Sequence, residues 1–138
     1  MSKGGWYGQS RRHSVTAKTT WNRKRRVLNV LNDIYQFEIL DFLNNPNAYL
    51  SSVGSSRKVN EKIVRFIADD LKEPLKYSEV KDIIKYVFKN KMSINEIYHS
   101  PEIEDMIVNV LLRRIDRLTY ELKHGVGKWK RLKYVGVM

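Results

Sequence analysis

Apolar residues recur at three- and four-residue intervals over most of this chain, and that spacing predicts an all-helical protein. From about Trp21 to Leu43 the positions Val27, Leu28, Leu31, Ile34, Tyr35, Leu40 and Phe42-Leu43 follow the helical period. Val30, Phe37 and Ile39 widen that stripe, so this helix is expected to be buried from more than one side, in a bundle and also against a second subunit. Asn44-Asn45-Pro46-Asn47 stops it, and residues 48–56 read as a loop with a small apolar anchor. Ser55 or Ser56 is the expected cap of a second helix over about 57–72, with Val59, Ile63, Phe66, Ile67 and Leu71 on one face. A third helix is expected from Ser78 to about Asn90 through Val80, Ile83, Ile84, Val87 and Phe88. Ser93 and Glu96 have capping-box spacing and predict a short turn of helix over 93–98. Ser100-Pro101-Glu102 combines a cap, a proline at the first helical position and an acid, and opens a last long helix to about Lys123. Its stripe is Ile103, Met106, Ile107, Val110, Leu111, Ile115, Leu118 and Leu122, and His124-Gly125 ends it. The expected fold is an all-α helical bundle of about four helices.

The N-terminus breaks this pattern. Residues 1–9 are glycine-rich and expected to be extended or irregular, Ser10 can cap a short helix through Lys18, and Thr19-Thr20 predict a turn. Charge then separates the chain into three parts. Residues 1–26 carry +8 and no acid, residues 27–122 carry −2, and residues 123–138 carry +5 and no acid. The division reads as a basic nucleic-acid-binding arm over 1–26, a helical-bundle assembly domain over 27–123 and a basic tail over 124–138. Trp6, Trp21 and Trp129 all fall in the basic ends. A core normally claims such large side chains. Beside cations and glycines they suit a polyanion with grooves and flat faces. A solubilising tail, or tryptophans that cap the domain's own core, is the plainer alternative.

Several classes are excluded. No apolar run approaches the ~18 residues of a membrane-spanning helix. No apolar segment follows the N-terminal charges, so no secretory signal is read. The absence of Cys removes disulfides and thiolate chemistry, which fits a cytosolic or chemically harsh setting. His13, His99 and His124 lie in separate segments without metal-ligand spacing. Gly4, Gly5 and Gly8 lack the Lys-Ser/Thr of a phosphate loop. Asp69-Asp70 and Glu104-Asp105 are adjacent pairs, which point about 100° apart on a helix. The expectation is a protein that is not an enzyme and holds no metal or cofactor.

The arm carries the chemistry. Arg11, Lys18 and Arg25 are spaced by seven and fall on nearly one helical face, with Arg12 and Arg26 beside it. A turn at Thr19-Thr20 would bend this row so that two short basic helices embrace a rod. Duplex DNA offers one phosphate per roughly 1.7 Å of axis, so many contacts are available. Gln9 and Asn22 are the only amides in the arm, which favours recognition of backbone and shape over base reading. The candidate nucleic-acid-binding residues are Lys3, Trp6, Tyr7, Gln9, Arg11, Arg12, His13, Lys18, Arg23, Lys24, Arg25 and Arg26. Trp6 and Tyr7 suit a groove or a neighbouring subunit equally well. Lys128, Lys130, Arg131 and Lys133 are candidate secondary contacts, to DNA, a neighbour or an anionic envelope.

Two readings compete. Residues 76–114 are loosely compatible with a helix-turn-helix regulator, but its recognition helix would begin Pro101-Glu102-Ile103-Glu104-Asp105, and three acids there repel phosphate. A small RNA-binding structural protein, or a chromatin protein, would share the basic composition.

The arrangement resembles the major coat proteins of filamentous archaeal viruses of the lipothrixvirus type. The resemblance rests on the cationic arm WYGQSRRHSVTAKTTWNRKRR at 6–26, most specifically Ser10-Arg11-Arg12-His13-Ser14 leading to Ala17-Lys18, on the helical body, and on the lack of Cys. It implies N-terminal helices that wrap linear double-stranded DNA in the A form. It also implies bundles paired side by side along a helical filament, often with a related coat protein. Arg11, Arg12, Lys18, Arg23, Lys24, Arg25 and Arg26 would then contact phosphate, and the protein would reside in the virion, and in the host cytoplasm before assembly.

Overall fold

The computed structural model describes the backbone of residues 5–124 and the side chains from Thr20 to His124. Among these residues the chain is all-helical, with no strand. Six helices follow in order: α1 (Gly5–Asn44), α2 (Pro46–Ser52), α3 (Glu61–Leu71), α4 (Tyr77–Lys89), α5 (Ile94–Tyr98) and α6 (Pro101–His124). The first surprise is α1. Residues 5–9, expected to be extended or irregular, are helical, and the turn expected at Thr19-Thr20 is absent. Threonine in a helix costs only about 0.6 kcal/mol relative to alanine. With no proline or further glycine between Gly8 and Pro46, nothing stops propagation of the hydrogen-bond ladder. The 40-residue helix is about 60 Å long, at 1.5 Å per residue.

Asn45 and Pro46 end α1 as the sequence indicates, but Pro46 also opens α2 at the first helical position, where its missing N–H is harmless. The expected loop over 48–56 is therefore helical to Ser52. Its apolar anchor is real: Tyr49 and Leu50 are buried, and Tyr49 meets Phe42 edge-on with ring centroids 5.9 Å apart. Gly54 leaves α2 with φ +80°, a left-handed conformation that other residues rarely adopt. From there residues 55–60 run without helix. Asn47 clamps this strip by donating to the Val59 carbonyl and accepting from the Val59 N–H, both at 3.0 Å. Val59 is thereby fixed in the core before α3 begins, so Asn60 caps α3 rather than Ser55 or Ser56. The remaining starts follow the sequence more closely. Glu79 accepts from the Lys76 N–H ahead of α4, which begins one residue before Ser78. Ser93 and Glu96 form the expected capping box of α5, and Ser100 accepts from the Ile103 N–H at the start of α6.

The core draws on all six helices. Leu31, Tyr35, Ile39 and Phe42 of α1 meet Leu50, Ile67, Leu71, Val80, Ile84, Ile97 and the α6 row Ile103, Ile107, Leu111 and Ile115. The α1 stripe is narrower than its apolar content implies. Val30 and Ile39 are buried, but Phe37 is 72% exposed and Leu40 54% exposed. Asn32 ties α1 to the turn between α3 and α4 by accepting from the Leu75 N–H at 2.7 Å. Tyr98 ties it to α5 by donating to Asp33 at 2.7 Å.

One cation joins these pieces. Arg114 of α6 is only 6% exposed. Its guanidinium donates to both Glu79 carboxylate oxygens, to the Tyr35 hydroxyl at 3.1 Å, and to the carbonyls of Glu73 and Pro74 just past the end of α3. Burial pushes the Glu79 carboxyl up. The hydrogen bonds from Arg114 and from the Lys76 N–H, with the charges of both residues, outweigh that and hold it below the usual carboxylate range. Removing one partner of a buried pair leaves the other charge without compensation. Arg114→Met is therefore expected to lower unfolding free energy by about 3–5 kcal/mol in urea titrations, and Arg114→Met with Glu79→Met by less than Arg114→Met alone.

Candidate nucleic-acid interface

Helix α1 divides into two halves of opposite character. Its three acids, Asp33, Glu38 and Asp41, all lie in the C-terminal half, and no acid precedes them in the chain. The first buried side chain among those described is Val27. Basic residues therefore occupy the portion of α1 that lies ahead of the core.

Four candidate residues have described side chains, and they fall into two pairs. The Arg23 guanidinium lies 5.1 Å from the Phe88 ring centroid, and the Lys24 ammonium lies 5.7 Å from that of Tyr77. Trp21 also meets Tyr77, with ring centroids 5.9 Å apart at 50°. These contacts fasten the last turns of the basic half to α4. Arg25 and Arg26, by contrast, are exposed, and neither forms an ion pair among the described residues. Helical register explains the division. Arg23 and Lys24 flank the line that continues into Val27 and Leu31, whereas Arg25 and Arg26 lie on the solvent side.

The backbone of Trp6, Tyr7, Gln9, Arg11, Arg12, His13 and Lys18 belongs to α1, while their side chains lie outside the described residues. Continuity of the helix places positions 11, 18 and 25 on one strip, because a step of seven residues turns the helix only about 20° short of two full turns. The row is thus straight rather than bent at Thr19-Thr20. Lys3, Lys128, Lys130, Arg131 and Lys133 lie outside the described residues. Trp21 is 49% exposed, so its free face remains open beside Arg25.

The aromatic supports Tyr77 and Phe88 carry no marker of this role in the sequence, since only the α1–α4 contact brings them to Arg23 and Lys24. A second arrangement is equally tertiary. Glu38, Asp41, Glu104 and Asp105 line an open groove between α1, α2 and α6, with Tyr49, Val108 and Leu112 among its walls. Glu38 lies about 18 Å along α1 from Arg26, from twelve residues of rise. Burial pushes the Glu38 carboxyl up, partly offset by the Tyr49 hydroxyl donating to it at 2.9 Å, and the charges of Glu104 and Asp41 add to the rise. The protein is therefore polarised, with cations along the first half of α1 and carboxylates around the second. The start of α6, which a helix-turn-helix reader would insert into DNA, contributes Glu104 and Asp105 to the acidic groove. The His99 Nδ1–H donates to the Asn95 carbonyl in α5, and the His124 and Tyr120 ring centroids lie 4.2 Å apart. No cluster of His, Asp or Glu suited to a metal ion occurs among the described residues, and no described helix is long and apolar enough to cross a membrane. Comparison with protein-family models, with curated proteins and with solved structures returns no match.

Two measurements follow from this geometry. A double-mutant cycle between Arg23 and Phe88 should give a coupling of about 0.5–1 kcal/mol, while Arg25→Ala and Arg26→Ala should each shift unfolding free energy by less than about 0.5 kcal/mol. For Glu38 the folded state disfavours the ionised form, so stability falls as pH rises through the unfolded and then the folded carboxyl value. Glu38→Gln is expected to raise the melting temperature at pH 7, and the gain should vanish below about pH 4, where the carboxyl is protonated in both states.

Proposed function

We propose that this protein is a structural, sequence-independent DNA-packaging protein, a coat subunit that wraps linear double-stranded DNA in a helical nucleocapsid. The observation that carries the reading is the acid-free basic half of α1, which continues without a break from the core-forming half of the same helix. A rod that is fixed at one end and cationic along the other can lie against a duplex without reading bases. Gly5 to Arg26 covers about 33 Å of helix, and a duplex presents on the order of 20 phosphates over that length. Arg25 and Arg26 are free of structural duty, and Trp21 beside them offers an open aromatic face. Arg23 and Lys24 hold the rod to α4 through their aromatic partners.

The long helices α1, α3, α4 and α6 form the assembling bundle in this reading. Phe37 and Leu40, exposed on α1, are the surface through which it pairs with another copy or with a related coat protein. The acidic start of α6 supports this reading over that of a helix-turn-helix regulator, because its carboxylates would meet phosphate first. Residence in the virion, and contact with a membrane only through an envelope, belong to the same proposal.

Eight arm cations that each displace a counterion give a slope of about −7 for log affinity against log salt. Arg25→Glu with Arg26→Glu should flatten that slope by about 2 and weaken binding uniformly across duplex sequences. Electron microscopy of the protein with linear duplex DNA should show continuous filaments. Discrete complexes of one or two copies at defined sites, or a loss of affinity confined to one sequence, would refute the packaging reading. Preference for structured RNA over duplex DNA at equal salt would transfer the function to RNA.

A further inference from the structure

Helix α6 carries three arginines within five residues, Arg113, Arg114 and Arg117. Together with Glu79 and Val110 they line a cavity of about 190 Å³ between α4 and α6. The charges there do not cancel. Glu79 is already saturated, because Arg114 donates to both its oxygens and the Lys76 N–H donates to one of them. Arg114 and Glu79 therefore neutralise each other, and two cations remain.

Neither of those two is paired with an acid among the described residues. The nearest acid in sequence, Asp116, is bound by Arg57 across the loop that precedes α3. Arg113 and Arg117 take part in no ion pair among the described residues. Arg113 donates its Nε to the Asn109 carbonyl at 3.4 Å, a weak contact that leaves its terminal nitrogens open. The Arg117 Nε is buried with no hydrogen-bond partner at all. That nitrogen is shielded from the cavity as well as from water, so contact with a ligand there falls to the terminal nitrogens of Arg117, which have no hydrogen-bond partner among the described residues.

We infer that this cavity is a receptor for a phosphate-class oxyanion, held between Arg113 and Arg117. The two residues are four apart, so they share one face of α6 with about 6 Å of rise between them. Each guanidinium presents a planar fork that matches two oxygens of such an anion. A tetrahedral anion has enough oxygens for both forks, whereas a single carboxylate does not. The Val110 wall and the neutralised Glu79–Arg114 pair give the site a dry side, which strengthens each charge-assisted bond. Among the described residues, none of α1 lines the cavity, which sets the site apart from the surface proposed to grip DNA. The anion has two sources, free inorganic phosphate or a backbone phosphodiester, and the chemistry of capture is the same for both.

Nuclear magnetic resonance on the full ¹⁵N-labelled chain tests this, with the Arg117 Nε–Hε resonance identified by its loss in Arg117→Lys. Sodium phosphate and sodium sulfate should shift it saturably, and acetate should act at least about tenfold more weakly, reflecting the fork geometry. Arg113 is exposed, so Arg113→Gln should leave the rest of the spectrum intact and weaken the phosphate titration several-fold. A shift that grows linearly and equals that from sodium chloride at matched ionic strength overturns the inference. So does a saturable shift undiminished in Arg113→Gln. Adding a short duplex to phosphate-saturated protein identifies the source. A new position for the Arg117 resonance marks a bound phosphodiester, and an unmoved one marks the free anion. Arg25→Glu with Arg26→Glu should weaken duplex binding through α1 and leave the phosphate titration unchanged, which separates this site from the packaging surface.

Discussion

The guanidinium of Arg114 sits where four helices meet, and the position of every one of them depends on it. From α6 it reaches Tyr35 in α1, Glu79 in α4 and the carbonyls that follow α3. Those carbonyls lie just past a helix end, where backbone acceptors lack helical partners. A cation there answers two demands, since it satisfies the backbone and opposes the helix dipole. Hydrophobic burial alone would let α1, α4 and α6 slide or rotate over one another at little cost. The directional bonds to Arg114, with Asn32 on Leu75 and Asn47 on Val59, select one register.

That register determines what the N-terminal half of α1 can do. The helix is one rigid element, so fixing Tyr35 and Leu31 in the core fixes the direction of the residues that precede them. Trp21, Arg23 and Lys24 rest on Tyr77 and Phe88, which continues the attachment about one turn beyond the last core contact. Arg25 and Arg26 then face water by helical geometry alone. Meanwhile the acids of α1 and α6 gather in a groove beyond the core, well separated from the cations along the helix axis. A chain with net charge +11 is thus not uniformly basic. Such a separation orients a protein on a polyanion, because one end is attracted while the other is repelled.

Helix starts written in local chemistry were legible from the residues. Ser93 with Glu96, and Ser100 before Pro101, mark α5 and α6 because a cap needs only residues three apart. The stop at Asn45-Pro46 is local for the same reason. The start of α3 was not, because Asn60 serves as cap only after Asn47 has pinned Val59 into the core. The supposed break at Thr19-Thr20 failed for a related reason. A weak local preference yields to a ladder already propagating from both sides. Of the candidate interface, the strip through positions 11, 18 and 25 followed from spacing, while the roles of Arg23 and Lys24 required knowledge of which aromatic residues would lie beneath them.

By itself, the sequence determined the helical class, the apolar faces and the confinement of excess positive charge to the two ends. These depend on periodicity and composition, which need no partner in space. The tertiary structure alone decided which cations became structural and which stayed free. Arg114 and Arg25 are the same residue type on long helices, and no local pattern separates them. Arg114 became buried because a hydroxyl from α1, a carboxylate from α4 and carbonyls from the turn after α3 converge on it, and Arg25 stayed exposed because the core occupies the other side of α1.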